Sequence, residues 1–472
     1  MVSESADGPS GERGLSAGGE HSSKEKGPAI QVFHGQKTVD RTKDVLPPVW
    51  IRSHRSGQAE PRVPRGSRVS VVDQAGEVRE KIVSLVDGAT SVVCACSFLI
   101  ADEEVVKAML RASDRRVGVY LLTASENQLL KEPRADSEFD IERLQDHIKT
   151  MKSMAGRILV RTGEQFHSKF VLADPNKTET RGILLTANLT TEALTRNVEV
   201  AVELNPNEVH DLFRQFLVGF WNESSNELLD QGGLSRVEPR PGSSKDVPKV
   251  LPCTTRSTRT LRDAIDALIE SAAGEIVVSS FGFDAQHETV QKLVATAKSG
   301  KNVRVFARPR PNKTTMEALV ALKEAGAVVR GHSWLHAKCL VVDTKDGRKG
   351  LITTANLEKR GLDEGFETGM MLDSEDAEAM YAYAAGWEES FPFELAVDRK
   401  IGEVEGEVTL WTNGELRRVR VKEKGTLELG EFKVRKVEEL EKFTPDFNKV
   451  AERGNEIYHL QTFNWTAVAP KP

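Results

Sequence analysis

Hydrophobic and polar positions along the chain predict alternating helices and strands, and the same order of elements occurs twice from about residue 66 onwards. The predicted elements are helices at 78–86, 103–111, 259–271 and 286–298 and strands at 91–98, 117–122, 275–281 and 303–307. Strands that are apolar along their whole length and alternate with helices favour a mostly parallel sheet covered on both faces. The pattern therefore predicts two related α/β lobes.

The segments around these copies differ in composition. The lobes are assigned to residues 66–222 and 253–396, and the Gly- and Pro-rich residues 223–252 between them are predicted to be a linker. Residues 1–30 are rich in Ser, Gly and Glu, which predicts a disordered tail. Residues 31–65 form an N-terminal extension, whose apolar patch at 47–51 is expected to lie against the next domain.

The last part of the chain follows a different pattern. Residues 397–472 contain runs that alternate apolar and polar positions, with Thr412-Asn413-Gly414 as a hairpin turn signal. These runs predict a small β-rich C-terminal module. Its role is open.

Composition narrows the class of protein. With 39% apolar and 29% charged residues the chain is typical of globular proteins, and its net charge of −6 means that a nucleic acid would have to bind a local basic strip. Four scattered cysteines indicate a reducing compartment and hence a cytoplasmic protein. We expect neither a signal peptide nor a transmembrane segment, which argues against membrane insertion.

Each copy contains a His-x-Lys, an Asp five residues after the Lys, and then an Asn and a Glu eleven residues apart. The two sets are His167, Lys169, Asp174, Asn188 and Glu199, and His336, Lys338, Asp343, Asn356 and Glu367. A single His-x-Lys on a strand means little, but a doubled set with matched spacing indicates a catalytic site. On a strand, the His and Lys side chains would share one face because the pleat has a period of two.

These side chains suit a phosphodiester. One histidine can attack phosphorus while the other protonates the leaving oxygen. Lysines and asparagines can hold the non-bridging oxygens as negative charge develops, and a glutamate can accept a hydrogen bond from the far nitrogen of a histidine. The scheme requires no metal and no other cofactor.

The doubled pattern resembles the phospholipase D superfamily over roughly residues 66–393. The resemblance implies two α/β lobes, with mostly parallel or mixed sheets flanked by helices, that form a pseudo-dimer with the site at their interface. It also implies a phosphohistidine intermediate, with His167 as nucleophile and His336 as general acid. Phosphate would be held by Lys169, Lys338, Asn188 and Asn356, the histidines oriented by Glu199 and Glu367, and the site supported by Asp174 and Asp343.

The chain departs from the family where Gly-Ser usually precedes the downstream Asn. Leu185-Thr186 and Thr353-Thr354 occupy those places, so the hydroxyls of Thr186 and Thr354 are expected to keep a phosphate contact. The departures mark a divergent member, which we place in a nuclease-like branch.

Candidate substrate-binding residues surround the second motif. Arg308, Arg310 and Lys313 form a basic run after a strand, which predicts either a phosphate-backbone contact or a solvated loop. Trp334, two residues before His336, could stack on a base or pack in the core.

Three functions remain open at this point. The first is a nuclease that acts on DNA or RNA, as an endonuclease or an exonuclease. By analogy with related enzymes, it would act in a defence or repair system and have a helicase, another ATPase or another protein as its partner. The second is a phospholipase or phosphatidyltransferase that acts on lipid headgroups. The third is a non-catalytic scaffold that binds nucleic acid. The sequence favours the nuclease and leaves the oligomeric state open.

Overall fold

The computed structural model describes residues 31–38, 48–52, 61–125, 141–238, 251–398, 404–412, 415–422, 426–434 and 464–467, apart from positions 65, 74, 310 and 311. The tail predicted at 1–30 lies outside these ranges. Two strands precede the first lobe, β1 (Gln31–Thr38) and β2 (Val49–Arg52). By its internal contacts the chain divides into a small unit, residues 1–35 and 431–444, and a large unit with the remaining residues, which include both lobes.

The first lobe is a nine-stranded mixed sheet with helices. Its strands are β3 (Val69–Val71), β4 (Val92–Ser97), β5 (Gly118–Ala124), β6 (Leu159–Gly163), β7 (Phe170–Ala173), β8 (Arg181–Leu185), β9 (Val200–Leu204), β10 (Asn226–Leu228) and β11 (Leu234–Arg236). Its helices are α1 (Glu77–Asp87), α2 (Glu103–Asp114), α3 (Ile141–Met154), α4 (Thr191–Thr195) and α5 (Pro206–Val218), which continues as a π-helix over Gly219–Glu223. The strand order is β11-β10-β6-β5-β4-β7-β8-β9-β3.

The second lobe has a nine-stranded sheet of the same kind. Its strands are β2 from the N-terminal extension and β12 (Cys253–Thr254), β13 (Ile276–Ser280), β14 (Val303–Ala307), β15 (Val328–Gly331), β16 (Cys339–Thr344), β17 (Gly347–Thr353), β18 (Glu367–Leu372) and β19 (Phe393–Ala396). Its helices are α6 (Thr260–Glu270), α7 (Glu288–Lys298), α8 (Lys313–Glu324), a π-helix over Arg360–Glu364, and α9 (Ser374–Ser390). The strand order is β12-β18-β17-β16-β13-β14-β15-β19-β2.

The repeat predicted from the sequence is confirmed, because β6-β5-β4-β7-β8-β9 matches β15-β14-β13-β16-β17-β18 in order. In each lobe three central strands are parallel to one another, β4, β5 and β6 or β13, β14 and β15. The strands that follow pair antiparallel. The sheets are therefore mixed, and the parallel part is smaller than the apolar runs indicated.

Three predictions from the sequence need correction. Strands β10 and β11 lie within the predicted linker, yet they extend the first sheet by pairing with each other and with β6. The apolar patch at 47–51 becomes β2, an edge strand that pairs with β19 of the second lobe rather than lying on a surface. Strands β6 and β15, which each come before a His-x-Lys, were not among the predicted strands.

Capping residues explain where several helices begin. The Asp102 carboxylate accepts from the backbone N–H of Val105 at the start of α2, and such an acceptor satisfies an N–H that would otherwise lack a partner. Helix α5 begins with a capping box between Asn205 and Glu208, with Pro206 in its first turn. Both helices then cover their sheet with apolar side chains.

One hydrophobic cluster spans both lobes, and each lobe has a further cluster of its own. The rings of Phe166 and Phe366, from different lobes, are fully buried and meet edge to face with centroids 5.1 Å apart. Single β-bridges join Phe166 to Phe366 and Val198 to Leu335. The interface is thus part of the folded core, with backbone pairing between the lobes.

The β-rich character predicted for the C-terminal module agrees with its described strands. Strands β20 (Val404–Thr412), β21 (Glu415–Lys422), β22 (Thr426–Val434) and β23 (Asn464–Ala467) form antiparallel pairs, β21 with β20 and β22, and β20 with β23. Residues 413–414, the predicted turn, lie outside the described residues.

Gly219 is predicted to be required for close packing of the lobes. A Cβ atom there would lie 2.7 Å from Phe366 and 2.9 Å from Leu122, and both side chains are fully buried. We expect Gly219→Ala to lower the free energy of unfolding by about 1–3 kcal/mol, although alanine favours a helix more than glycine does. Urea unfolding measures this. Gly233→Ala is the control, because nothing lies within 4 Å of its Cβ position; equal losses in both variants would refute the steric argument.

Candidate active site

The two His-x-Lys segments are held at the lobe interface by backbone hydrogen bonds. The amides of His167 and Ser168 donate to the carbonyl of Phe366 at 3.1 and 2.8 Å. In the same way, the amides of His336 and Ala337 donate to the carbonyl of Val198 at 3.0 and 2.8 Å. Each motif is therefore fixed by the residues that lead into a strand of the opposite lobe. The His and Lys residues lie just before β7 and β16 and not within them, which corrects the predicted placement on a strand.

Each histidine pairs with the glutamate of the other copy. His167 Nδ1 lies 2.7 Å from Glu367 Oε1, and His336 Nδ1 lies 2.7 Å from Glu199 Oε1. An ionised carboxylate only accepts hydrogen bonds, so each Nδ1 donates to its glutamate and Nε2 is the nitrogen left for attack or proton transfer. The geometry thus orients both imidazoles for chemistry at Nε2. The sequence indicated a His–Glu contact but not that it crosses between the copies.

The two threonines position the glutamates. Thr186 Oγ1 donates to Glu199 Oε2 and Thr354 Oγ1 donates to Glu367 Oε2, both at 2.5 Å. Each hydroxyl oxygen also accepts from a backbone amide of the next strand, that of Val200 or Thr368, at 3.0 Å. Both threonines are fully buried. The expected contact of these hydroxyls with phosphate gains no support here, because both hydroxyls already donate to the glutamates.

Both motif lysines are fully buried next to their histidines. Lys338 Nζ donates to the His336 carbonyl at 2.7 Å and lies 3.2 Å from His336 Nε2, while Lys169 Nζ donates to the His167 carbonyl. Burial lowers the pKa of Lys169 to about 8, although Glu367 and Glu199 act in the opposite direction. Ammonium groups in such a place are suited to bind an anion that enters the interface.

The two halves of the site differ in electrostatics. Burial raises the pKa of Glu367 to about 7, because it outweighs the attraction of Lys169 and the hydrogen bond from Thr354. Burial also acts on Glu199, but its interactions with His336 and Lys338 prevail and hold its pKa below the ordinary value.

His336 is held neutral in this environment. Burial lowers its pKa to about 4, which the nearby Glu199 carboxylate only partly offsets. At neutral pH the second histidine is therefore an uncharged imidazole beside an ionised carboxylate.

The two asparagines lie in equivalent turns after β8 and β17. The next residue in each turn is anchored alike, since the Leu189 amide donates to Ser97 Oγ at 3.0 Å and the Leu357 amide to Ser280 Oγ at 3.1 Å. Asn356 Nδ2 also donates to Glu358 Oε1 at 3.0 Å. Within the described residues, the Oδ1 atoms of Asn188 and Asn356 are buried without a hydrogen-bond partner.

The motif aspartates lie at the other end of β7 and β16 from the histidines. Asp174 accepts from the backbone amides of Thr90, Ser91 and Val92 at the start of β4. Asp343 accepts from the Glu275 amide at 3.3 Å and from Arg348 Nε at 2.8 Å. Their support is therefore to the sheet, and they do not join the His, Lys and Glu cluster.

Aromatic rings and arginines surround the histidines. The Phe98 ring meets the His167 ring edge to face at 5.2 Å, and the Phe281 ring meets the His336 ring at 4.9 Å. Matching Ser-Phe pairs at 97–98 and 280–281 could have revealed both phenylalanines from the sequence. A further residue, Arg360, lies 5.9 Å from the Phe98 ring centroid; its position has no cationic match in the first copy, so the repeat gave no signal for it.

The predicted substrate-binding residues are brought only partly to the site. Arg308 lies 5.6 Å from the ring centroid of Phe281 and 5.7 Å from that of Trp334, whose ring is also covered by Arg196 at 3.9 Å. Trp334 therefore packs against two guanidiniums, and one of them, Arg308, also covers the Phe281 ring that meets His336. Arg310 lies outside the described residues, and Lys313 begins α8 with a side chain that is not described.

The two α/β lobes bring together two His–Lys pairs and two glutamates. This arrangement defines a phosphoryl-transfer enzyme with one copy of the motif in each lobe. A family model described as the cardiolipin synthase PLD-like domain matches residues 82–221 and 265–388, more than half of the chain. The chain therefore belongs to the phospholipase D superfamily. No curated protein matches the sequence.

Solved structures with a similar fold include three proteins. Polyphosphate kinase from Porphyromonas gingivalis is 15% identical, with a TM-score of 0.43 over 64% of this chain, which spans 44% of the kinase. Phosphatidylserine synthase from Haemophilus influenzae is 14% identical, with a TM-score of 0.47 over 72% of this chain and 89% of the synthase. The phospholipase D family member Nuc from Salmonella typhimurium is 21% identical, with a TM-score of 0.27 over 33% of this chain and 95% of Nuc. None of these likenesses distinguishes one substrate from another.

Two kinds of feature are absent from the described ranges. The ranges contain no helix that is both long and apolar enough to cross a membrane. The same ranges hold no group of three or more His, Cys, Asp or Glu side chains arranged to hold a metal ion.

The lowered pKa of His336 gives a prediction for NMR. In protein labelled with ¹³C at histidine, the His336 signal, assigned by its loss in His336→Gln, should not titrate between pH 5.5 and 8. In urea the same residue should titrate near 6.5. Because the folded pKa is the lower one, the contribution of His336 to stability should fall as pH drops from about 6.5 towards 4. A folded-state titration near 6.5 would contradict the burial argument.

Proposed function

We propose that this enzyme is a nuclease that cleaves phosphodiester bonds of DNA or RNA through a phosphohistidine intermediate. The observation that carries the proposal is the surface formed by Arg196, Arg308 and Trp334, in which both guanidiniums pack on the Trp334 ring. Arg308 also lies over the Phe281 ring that meets His336, so this surface leads to the histidine. Guanidiniums bind phosphates of a nucleic-acid backbone, and aromatic rings next to them stack on bases. A polynucleotide that lies on this surface would pass the reactive histidine.

The site residues have complementary roles in the proposed reaction. Lys169 and Lys338, with the amides of Asn188 and Asn356, bind the non-bridging oxygens and offset the charge of the pentacoordinate state. The glutamates keep Nδ1 of each histidine protonated and Nε2 directed to the substrate. Because each glutamate comes from the lobe opposite its histidine, the arrangement requires both lobes.

The electrostatics favour His336 as the nucleophile, the reverse of the assignment that the family resemblance implies. Its lowered pKa leaves Nε2 unprotonated at neutral pH, whereas a resting proton donor must hold a proton. On the other side, Glu367 has a pKa of about 7, so the His167–Glu367 pair is able to retain a proton near neutrality. We therefore assign the proton donation to His167.

The proposed reaction has two steps, formation of the phosphohistidine and its hydrolysis. The His336 Nε2 lone pair forms a bond to phosphorus, the bond from phosphorus to the leaving oxygen breaks, and that oxygen takes the proton from His167 Nε2. Water then attacks phosphorus and gives a proton to His167, and the P–N bond breaks to restore His336. Lys338, which lies 3.2 Å from Nε2, must turn to a phosphate oxygen when substrate binds.

A second candidate is phosphatidyl transfer on lipids. It is favoured by the family model, whose description names cardiolipin synthase. The same two steps serve this reaction if an alcohol replaces water in the second step. An activity assay on both substrates, nucleic acid and lipid, therefore has to decide between the two functions.

Substitution of either motif histidine should abolish activity. We expect the wild type to cleave labelled single- or double-stranded DNA or RNA in EDTA, and His167→Gln and His336→Gln to lower kcat by about 10³-fold or more. His210→Gln is the matched control, since this histidine lies on α5 and contacts the Lys177 carbonyl. Headgroup release from phosphatidylcholine or phosphatidylglycerol without nucleic-acid cleavage would reject the nuclease in favour of lipid transfer.

The covalent intermediate should form on one particular histidine. Rapid mixing of enzyme with ³²P-labelled substrate, quenching in alkali and peptide mapping should place the label on His336. His167→Gln should accumulate the label with an activated leaving group, because that step needs no proton donor, and His336→Gln should not be labelled. Label on His167 instead would show that the first lobe supplies the nucleophile.

A further inference from the structure

Two arginines occur in the second copy where the first copy has no cation. Arg308 directly follows the last residue of β14, and Ser125 directly follows the last residue of the equivalent strand β5. Arg360 is four residues after Asn356, and Glu192 is four residues after Asn188. The repeat is otherwise matched in its motif residues, so these two positions add positive charge to one lobe only.

Both arginines pack on a ring that touches a reactive histidine. Arg308 lies over Phe281, whose ring meets His336 at 4.9 Å. Arg360 lies over Phe98, whose ring meets His167 at 5.2 Å. One guanidinium therefore stands one aromatic ring away from each histidine.

The backbone holds Arg360 close to the site. It begins the π-helix Arg360–Glu364, which replaces the short helix α4 of the first copy, and π-helical turns often occur at functional sites. A Cβ atom on Gly361 would collide with the Asn356 carbonyl, so glycine is needed for this close approach. The charge of Arg360 reaches the centre, since it adds to the lowering of the Lys169 pKa and partly opposes the rise in the Glu367 pKa that burial causes.

We propose that Arg308 and Arg360 form two anion subsites, one on each side of the scissile phosphodiester, that bind the neighbouring phosphates of a polynucleotide strand. This inference rests on the proposed nuclease function and specifies its substrate as a chain with successive phosphates. In the proposed reaction the lysines and asparagines bind the scissile phosphate itself. The arginines lie on the far side of Phe281 and Phe98 from the histidines. Phosphates that follow one another along a strand would meet these guanidiniums in turn.

The test compares a substrate with one phosphate and a substrate with many. The wild type, Arg308→Gln and Arg360→Gln are assayed with bis(4-nitrophenyl) phosphate and with a labelled single-stranded decanucleotide of DNA and of RNA. Each variant should lower kcat/KM for the decanucleotide by about 10- to 100-fold, as expected for a hydrogen bond to a charged group. For the small diester it should change by less than about 2-fold.

Salt dependence gives a second measurement. Each Gln variant should reduce the slope of log K against log salt concentration for decanucleotide binding by about 1. Arg262→Gln is the control, because this arginine pairs with Asp363 of the same π-helix at 2.8 Å without a ring contact to the site; it should keep the slope of the wild type. If thermal unfolding shows that a Gln variant is misfolded, Arg308→Lys or Arg360→Lys replaces it. These two variants retain the charge and should keep the slope of the wild type.

Failure of the flanking subsites and failure of the nuclease function would give different results. Equal loss on both substrates, or an unchanged salt slope, would overturn the flanking subsites while leaving the nuclease intact. Cleavage of the small diester and release of a lipid headgroup without cleavage of either nucleic acid would instead overturn the nuclease function itself.

Discussion

The crossed hydrogen bonds between each histidine and the glutamate of the other copy are the constraint on which the rest of the structure depends. A carboxylate that is fully buried is costly unless several donors satisfy it. Glu199 receives these bonds from His336 and Thr186, so burial of the glutamate, docking of the lobes and orientation of the histidine occur together. The fully buried rings of Phe166 and Phe366, which are next in sequence to His167 and Glu367, pack against each other across the same interface.

Duplication supplies two matched sets of residues, but the reaction needs two different ones. A nucleophile has to be unprotonated and a proton donor has to hold a proton. The backbone provides near-identical geometry, with both His–Glu distances at 2.7 Å. Its surroundings then separate the halves, since the pKa of Glu199 falls while that of Glu367 rises to about 7. Burial and neighbouring charge, rather than the motif, thus distinguish the roles in the proposed reaction.

The repeat, the lobes and the clustering of the His, Lys and Glu residues were predictable from the sequence. The reason is that the spacing between the motif residues matches in two copies within one chain. Contacts between the copies were not predictable. Spacing cannot show whether Glu367 faces His336 or His167, since that depends on how the lobes dock. Thr186 retained a hydroxyl, but its direction depends on the register of β8 against β9. Strand β6 was missed because its five residues, Leu-Val-Arg-Thr-Gly, are short and mixed in polarity.

Stability and chemistry make opposite demands on the interface. Lys169 and Lys338 are among the largest fully buried side chains described, and desolvation of an ammonium opposes folding. The lowered pKa of Lys169 reflects that cost, because the charged form is less stable inside the protein than in water. An incoming phosphate would compensate by pairing with the ammonium groups. The buried ammonium groups therefore suit the interface to binding an anion, and burial of the hydrophobic cluster shared by the lobes offsets their cost to folding.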